Sequence, residues 1–477
     1  MSKSDIISIY DKSPKIAVLE STFTARQKSQ MTGLVGSSLS FVANSLFKKS
    51  ELPFLILFSN KEEAAYYLND LEQLINTEDV LFYPSSYRRP YQIEETDNAN
   101  VLLRAEVLNR INSRKKPAII VSYAEAIFEK VVTRKELEKN TLKLSVGDNL
   151  SIDFINETLF EYNFKRVDFV TEPGEFSVRG GIIDVFSFSN DNPYRIEFFG
   201  NEVDSIRSFD VETQLSVEKL KKISIIPNVE NKLLQENRES FLDYINEKTV
   251  LVIQNTELLG QQLDKLFDKA NEAFEKLSKD IQHAKPEELF LNQKQFLKRA
   301  LDFSVIELHT NAVFKTDKKV EFHIQPQPSF NKQFDLLLNN LSENHFNGYK
   351  NYLCCSNENQ ASRFHDIFED IDEANHESIR KQYKAMVLPL FEGFIDEENQ
   401  IACYTDHQIF ERYHKFSIKN GYSKKQTITL KELTSLSVGD YVTHIDHGIG
   451  KFGGLQKIQV EGKTQEAIKL VYADNDI

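Results

Sequence analysis

A glycine-spaced segment near the start of the sequence has the outline of a phosphate-binding loop that leads into a helix. It reads MTGLVGSSLSFVANSL, from residue 31 to residue 46. A working loop of this kind needs a Lys that reaches the β- and γ-phosphates and a Ser or Thr that holds magnesium. Leu39 and Ser40 stand at those two positions. Backbone N–H groups can still hold an anion, but they cannot neutralise the charge that develops on a transferred phosphoryl group.

The sequence therefore predicts a degenerate phosphate loop and no catalytic residues. The residues of this loop are Gly33, Gly36, Ser37, Leu39 and Ser40.

The candidate metal ligands are few and poorly spaced. The segment HIDHG carries His444, Asp446 and His447, but alternate residues of a strand point to opposite faces, so these side chains do not converge without a turn. The three cysteines of the sequence do not have the spacing of a zinc site or of a disulfide framework. We predict no metal site.

Six short apolar runs indicate the buried strands of parallel sheets. They are PFLILFS (53–59), VLFYPSS (80–86), AIIVSY (118–123), TVLVIQN (249–255), NYLCCSN (351–357) and QIACYTD (400–406). Helical patterns separate most of them, which predicts an α/β fold. Asn60, Asn255 and Asn357 each stand between such a strand and a helix, and we expect their side-chain oxygens to cap the helix N-termini.

The pattern changes between residues 143 and 228, where apolar and polar residues alternate. The stretch TEPGEFSVRGGIIDVFSFSNDNPYRIEFFGNEVDSIRSFD, residues 171–210, contains strands joined by tight turns. Since the α/β pattern resumes at Thr249, this β-rich part is predicted to interrupt one α/β domain. Segments 316–330 and 419–435 are candidate linkers.

Length and charge restrict the class of protein. A chain of 477 residues holds about three to five domains at roughly 100–200 residues each. The net charge of −14 argues against a broad basic face for nucleic acid. The N-terminal residues contain no apolar signal segment, and no run approaches a membrane span. We expect a cytoplasmic protein.

Residues 172–210 resemble a block shared by the excision-repair protein UvrB and the bacterial transcription-repair coupling factors (Mfd). The segment FYPSSYRRPYQIEETDNANVLLRAEVL, residues 82–108, resembles the part of the shared module that precedes this block. UvrB keeps an intact phosphate loop, so Leu39 favours the coupling factors. The segment from Ser437, SVGDYVTHIDHGIGKFGGLQKIQVEGKTQEAIKLVYADND, resembles the start of their RNA-polymerase-interacting domain, a Tudor-like module related to CarD.

This resemblance implies an α/β multidomain chain with five parts. They are a degenerate P-loop-like domain 1a (1–142), a β-rich UvrA-binding domain (143–228), a domain 1b that completes the α/β fold (229–325), a small α/β domain (326–425) and a truncated RNA-polymerase-interacting module (434–477).

The function that the resemblance implies is recruitment. The family displaces RNA polymerase stalled at DNA lesions by ATP-driven translocation and recruits UvrA for nucleotide excision repair. ATP, Mg²⁺ and most DNA contacts are expected in motor domains outside this sequence, and no cofactor is expected here. The alternative is a UvrB-like repair ATPase or helicase that acts on damaged DNA.

The resemblance also implies two sets of binding residues. For UvrA they are Arg179, Arg195 and Phe199, with Arg207 and Glu175 as second-rank candidates. An Arg fork suits carboxylates and an exposed Phe supplies apolar contact area. The opposing interpretation pairs Arg195 with Glu197 or Glu202 and buries Phe199 in the core.

For the RNA polymerase β subunit the strand LQKIQVEG is predicted to add to a sheet of the partner. Its contact residues are Leu455, Lys457, Ile458 and Val460. The opposing interpretation places Leu455 and Ile458 in the core of a small barrel.

Overall fold

The structure is a computed structural model of the chain. It describes residues 3–86, 91, 98–113, 116–188, 190, 192–211, 213–228, 237–277, 284–371, 376–412, 439–444, 448–460 and 463–472. The chain divides into two compact units, Met1–Tyr422 and Ser423–Ile477.

The first unit contains the helices and most of the strands. Its helices are α1 Ser4–Asp11, α2 Pro14–Glu20, α3 Ser38–Ser50, α4 Lys61–Leu74, α5 Asn98–Ser113, α6 Ala124–Phe128, α7 Arg134–Lys139, α8 Ile152–Glu161, α9 Phe241–Tyr244, α10 Thr256–Glu275, α11 Pro286–Leu289, α12 Gln293–Ala300, α13 Phe334–Phe346, α14 Glu358–Ile371, α15 His376–Arg380 and α16 Asp406–Ile409, with a 3-10 helix at Thr77–Asp79. Its strands up to the end of the β-rich part are β1 Lys28–Thr32, β2 Phe54–Phe58, β3 Val80–Tyr83, β4 Ile119–Tyr123, β5 Val131–Val132, β6 Leu142–Ser145, β7 Lys165–Arg166, β8 Glu175–Arg179, β9 Ile182–Val185, β10 Tyr194–Phe199, β11 Glu202–Phe209, β12 Ser216–Leu220 and β13 Lys222–Ile225.

The later strands of this unit are β14 Arg238–Glu239, β15 Val250–Ile253, β16 Ser304–Glu307, β17 Lys318–Glu321, β18 Ile324–Pro326, β19 Lys350–Cys355, β20 Tyr383–Val387, β21 Phe394–Asp396 and β22 Ile401–Thr405. The second unit contains β23 Tyr441–His444, β24 Gly448–Val460 and β25 Lys463–Val471.

A seven-stranded parallel sheet forms the largest core of the first unit. Its strand order is β17-β1-β16-β15-β2-β4-β3, and every pairing is parallel. Strands β2, β4 and β15 are buried along their whole length, because helices cover both faces of a parallel sheet. Strands from before and after the β-rich part pair directly, as β2 does with β15. The predicted α/β class is confirmed.

The three strand–Asn–helix units form as predicted. The Oδ1 atoms of Asn60, Asn255 and Asn357 accept hydrogen bonds from backbone N–H groups three residues later, at 2.9, 3.0 and 3.0 Å. Each Asn lies two residues after the end of its strand and supplies one of the acceptors that a helix start lacks. The six apolar runs chosen from the sequence correspond to β2, β3, β4, β15, β19 and β22.

A six-stranded sheet, in the order β12-β11-β10-β9-β8-β7, forms the β-rich part. Its pairings are antiparallel except for that between β7 and β8. One face carries apolar side chains such as Phe176, Ile183 and Ile196, which pack with Ile155 and Leu159 of α8. Because side chains alternate along a strand, the polar residues of β8 to β11 lie on the opposite face.

A five-stranded sheet in the order β18-β21-β22-β19-β20 completes the first unit. The segment 316–330, predicted to be a linker, instead supplies β17 to the seven-stranded sheet and β18 to this one. Its high content of Lys, Gln and Pro fits two edge strands as well as it fits a linker, because edges are where such residues are tolerated. The other predicted linker, 419–435, lies outside the described residues.

Candidate functional site: a charged sheet face

The polar face of the six-stranded sheet is organised by one buried carboxylate. Asp184 of β9 lies opposite Ser177 of β8 and opposite Arg195 of β10, and its side chain is fully buried. Arg195 Nε donates to Asp184 Oδ1 at 2.7 Å and Arg195 Nη2 donates to Oδ2 at 2.9 Å. Arg179 Nη2 donates to the same Oδ2. Two guanidinium groups therefore share one carboxylate, and the cluster keeps a net positive charge.

Arg195 is held on every side by the protein. Its Nη1 donates to the Gln214 carbonyl at 3.3 Å, and its guanidinium lies 4.5 Å from the centre of the Phe209 ring. The hydrogen bonds that Arg195 donates to Asp184 raise the pKa of Arg195, although burial acts in the opposite direction. Only 19% of the Arg195 side chain is exposed. Its main role is therefore to pair with Asp184.

Arg179 and two phenylalanines are the accessible members of this face. The Arg179 side chain is 41% exposed and its guanidinium lies 5.2 Å from the centre of the Phe169 ring. Phe199 ends β10 and is 83% exposed. The Phe198 N–H donates to the Gly181 carbonyl at 2.8 Å, so Phe199 lies at the end of the sheet where Arg179 also lies.

The structure brings the three residues predicted for UvrA binding, Arg179, Arg195 and Phe199, onto one part of one sheet. The opposing interpretation is wrong for Phe199, which is not in the core. It is also wrong about the partner of Arg195, because Arg195 pairs with Asp184 and Glu197 pairs with Arg207. Sequence distance alone did not reveal that Asp184, eleven residues before Arg195, lies directly across the strand pair.

The second-rank candidates have structural roles. Arg207 forms an ion pair with Glu197 on the adjacent strand, and Ser205 Oγ donates to Glu197 Oε2 at 2.6 Å. Glu175 Oε2 accepts from the N–H groups of Thr171 and Glu172, each at 2.9 Å, and thereby stabilises the turn before β8.

Sequence reasoning missed Asp184 and Phe169. A signal for Asp184 was present, since a carboxylate in the otherwise apolar run GGIIDVF needs a cationic partner when it is buried. Phe169 carried no such signal, because nothing in the sequence distinguishes an exposed Phe from a buried one.

The predicted phosphate loop leads into α3, the helix that the sequence indicates, and it follows β1, which the sequence reading did not include. Gly33 is exposed, but the other residues of the predicted loop are covered. Leu39 is part of the hydrophobic core, and Ser37 and Ser40 are buried. The Ser37 N–H donates to the Glu392 carbonyl at 3.1 Å, and the Glu392 N–H donates to Ser37 Oγ at 3.0 Å. The loop thus contacts a segment of the chain more than 350 residues later.

The covering segment, residues 389–393, also contacts α4. The Phe391 ring stacks on Tyr66 with ring centres 3.8 Å apart, and its N–H donates to Asp70 Oδ1 at 2.7 Å. Burial raises the pKa of Asp70 to about 7, while hydrogen bonds from Ser37 and Phe391 lower it by less. A Cβ on Gly36 would lie 2.8 Å from the Gly393 carbonyl oxygen, so the covering segment packs directly against the backbone of the loop.

The residues predicted to bind RNA polymerase lie on β24 in the second unit. Leu455, Lys457, Ile458 and Val460 pair along the backbone with β25, at Ile468, Glu466, Gln465 and Lys463; the placement of their side chains lies outside what the structure describes. Strand β23 pairs only with residues 448–451 of β24. In the described part of this unit, the other edge of β24 beyond Phe452 therefore has no strand beside it.

The remaining candidate features are metal-binding groups, cysteines and apolar helices. Within the described ranges, no group of three or more His, Cys, Asp or Glu side chains could hold a metal ion; Asp446 and His447 lie outside them. Cys354, Cys355 and Cys403 are buried thiols. None of the described helices is long and apolar enough to cross a bilayer.

Comparison with known proteins gives two family matches and a set of relatives. The UvrB interaction domain matches residues 142–230, and the CarD-like/TRCF RID domain matches residues 436–477. Transcription-repair-coupling factors from Bacillus subtilis, Borreliella burgdorferi and Rickettsia bellii are 24%, 23% and 24% identical over 94%, 94% and 91% of the chain. This chain resembles the transcription-repair-coupling factors. The family resemblance predicted from the sequence is confirmed.

The match covers only part of the known coupling factors. The chain spans 43% of the length of the Bacillus subtilis and Rickettsia bellii relatives and 42% of the Borreliella burgdorferi one. The charged sheet face lies within the match to the UvrB interaction domain, and β24 lies within the match to the coupling-factor RID domain.

Proposed function

We propose that this chain is the recruitment region of a transcription-repair coupling factor. In this proposal its charged sheet face binds UvrA, and its C-terminal module binds the RNA polymerase β subunit. The motor activity of the whole protein, with ATP and Mg²⁺, belongs to domains outside the chain, where most DNA contacts also lie. The observation that carries the proposal is that Arg179 and Arg195 share Asp184 on the same sheet that exposes Phe199, within the match to the UvrB interaction domain.

The chemistry of this face suits a protein partner with acidic groups. Arg side chains and large aromatic rings carry much of the energy of protein interfaces. A cluster in which two guanidinium groups share one carboxylate attracts a further anion, and the shared carboxylate fixes both forks in advance, which lowers the entropic cost of binding.

The proposal assigns no nucleotide turnover to the loop after β1. We regard the seven-stranded sheet as a degenerate P-loop-like fold, with Leu39 in place of the Lys that would contact the phosphates. The buried loop residues and the hydrogen bonds between Ser37 and Glu392 support this assignment. The alternative, a UvrB-like ATPase, requires an accessible loop with a cation beside it.

For the C-terminal module we propose a Tudor-like, CarD-like domain that binds by strand addition. The edge of β24 that faces away from β25 offers backbone groups to a strand of the polymerase β subunit. Capture of that subunit by residues 1–477 tests this part, and unchanged capture by a folded Lys457→Ala, Ile458→Ala variant would argue against the chosen contacts.

The main test is capture of UvrA by purified residues 1–477. We expect binding that falls at least tenfold in an Arg179→Ala, Arg195→Ala variant, because the partner's carboxylates lose the exposed Arg179 and the positive charge that Arg195 adds beside Asp184. Thermal melting must show that this variant is folded. Arg134→Ala, which removes a cation outside the β-rich sheet, is the control.

A second readout of the same preparation is ATP hydrolysis. We expect none above background with or without DNA. Turnover that disappears on Ser40→Ala would contradict the recruitment proposal and favour the UvrB-like alternative.

A further inference from the structure

A concave site lies beside the charged face, and Arg179 is the one residue predicted from the sequence among those that line it. It occupies about 490 Å³ at the edge of the six-stranded sheet, where β7 is only two residues long. Its walls include Arg166, Val167, Asp168, Phe169, Ser177 and Arg179.

Phe169 is exposed for a structural reason. The backbone just before Phe169 is bonded to β8, since Ser177 Oγ donates to the Asp168 carbonyl at 3.1 Å. The neighbouring Val170 is fully buried and packs with Phe186 and Phe209. With Val170 directed inward, the Phe169 ring is 61% exposed and lies under the Arg179 guanidinium.

We propose that this concave site receives an acidic residue and a neighbouring apolar side chain of UvrA, with Phe169 as a binding residue. The inference rests on the proposed function, because it deepens the same docking face. Arg179 and exposed Arg166 offer cationic groups to the carboxylate, outnumbering the single carboxylate of Asp168 at this site. The Phe169 ring supplies the apolar wall, and the Arg179 guanidinium lies over it at 5.2 Å from the ring centre.

The geometry gives Phe169 and Arg179 a joint effect. The ring restricts the guanidinium on one side, and Asp184 Oδ2 accepts its hydrogen bond on the other. Without the ring, Arg179 is held by Asp184 but loses its restriction on the other side, so the effects of changing both residues are not independent.

The test measures the Kd of UvrA for residues 1–477 and for single variants. We expect Phe169→Ala to weaken binding about tenfold and Phe169→Tyr to bind like the unchanged chain, because the ring remains. Phe154→Ala is the matched control: Phe154 is also an exposed Phe of the β-rich part, but it belongs to α8, which packs on the opposite sheet face. We expect its change in Kd to stay within twofold.

A double variant completes the test. Phe169→Ala with Arg179→Ala should weaken binding by less than the product of the two single effects. If Phe169→Ala leaves Kd unchanged while Arg179→Ala weakens it, the concave site is not used and the recruitment proposal stands. If neither change affects binding and the fold is intact, the docking face itself is wrongly assigned.

Discussion

At the residue scale, two buried aspartates organise the two regions that the sequence selected. Asp184 is compensated by Arg179 and Arg195, as a buried carboxylate must be. Asp70 has no cation among its described contacts; it accepts a hydrogen bond from the Phe391 N–H and lies near Glu392. A carboxyl in such surroundings favours its neutral form.

The stability of the chain should therefore depend on pH through Asp70. Its pKa is about 7 in the folded chain and 3.8 without the fold, so between these values only the folded chain binds this proton. The contribution of Asp70 to the free energy of unfolding falls as pH rises from about 4 to about 7, and is constant above that.

Asp70→Asn should remove this dependence, because the amide does not ionise. We expect the free energy of unfolding of the variant, relative to the unchanged chain, to increase from pH 5 to pH 8. Urea denaturation at several pH values measures this difference. A difference that is constant across the range would contradict the assignment.

At the element scale, the strand–Asn–helix unit recurs in two different sheets. Asn60 and Asn255 begin helices against the seven-stranded sheet, whereas Asn357 begins α14 against the five-stranded one. The recurrence reflects a shared local need, because a strand that leads directly into a helix leaves the first N–H groups without acceptors.

Loss of one such cap should have a local cost. Asn255→Ala should lower the free energy of unfolding by about 1 kcal/mol, the usual cost of an N-cap acceptor, while Asn255→Asp should restore it because a carboxylate oxygen also accepts. Chemical denaturation compares the three chains. An equal loss in the Ala and Asp variants would show that packing, not capping, is responsible.

At the scale of the first unit, the covered loop joins the seven-stranded and five-stranded sheets. Phe41 of α3 packs edge to face on Phe394 of β21 with ring centres 5.7 Å apart, and Tyr10 donates a hydrogen bond to Asp396 Oδ2 at 2.7 Å. Together with the Ser37–Glu392 hydrogen bonds, these contacts predict that the two sheets unfold together.

Gly36→Ala should weaken this joint. The residue has φ +55°, and its new Cβ would lie 2.8 Å from the Gly393 oxygen, so we expect a loss of about 1–3 kcal/mol from strain and displaced contacts. Amide hydrogen exchange at Ser37 and Glu392 should become faster.

Gly147→Ala is the matched control for that experiment. Gly147 has φ +91°, but nothing lies within 4 Å of an added Cβ, so it tests backbone strain without the contact. Unchanged exchange at Ser37 and Glu392 in Gly36→Ala would contradict the role given to the loop.

Residue patterns along the chain are sufficient to predict the local structure and the family resemblance. Apolar runs such as PFLILFS identified buried strands because burial on both faces requires continuous apolar residues. Asn60 and its counterparts identified helix starts, since capping depends on neighbours within three residues. Leu39 predicted a degenerate phosphate loop for the same reason: the required Lys has a fixed position in the motif.

The segment that covers the loop after β1 and the groups that surround Arg179 and Arg195 are visible only in the folded structure. Glu392 reaches Ser37 across more than 350 residues, Asp184 meets Arg195 through strand register, and Phe169 is exposed because Val170 points inward. The strands formed from segment 316–330 also depend on their neighbours, because edge pairing comes from partners distant in the chain. Such contacts arise from packing between distant segments, and local patterns of residues do not encode which segments meet.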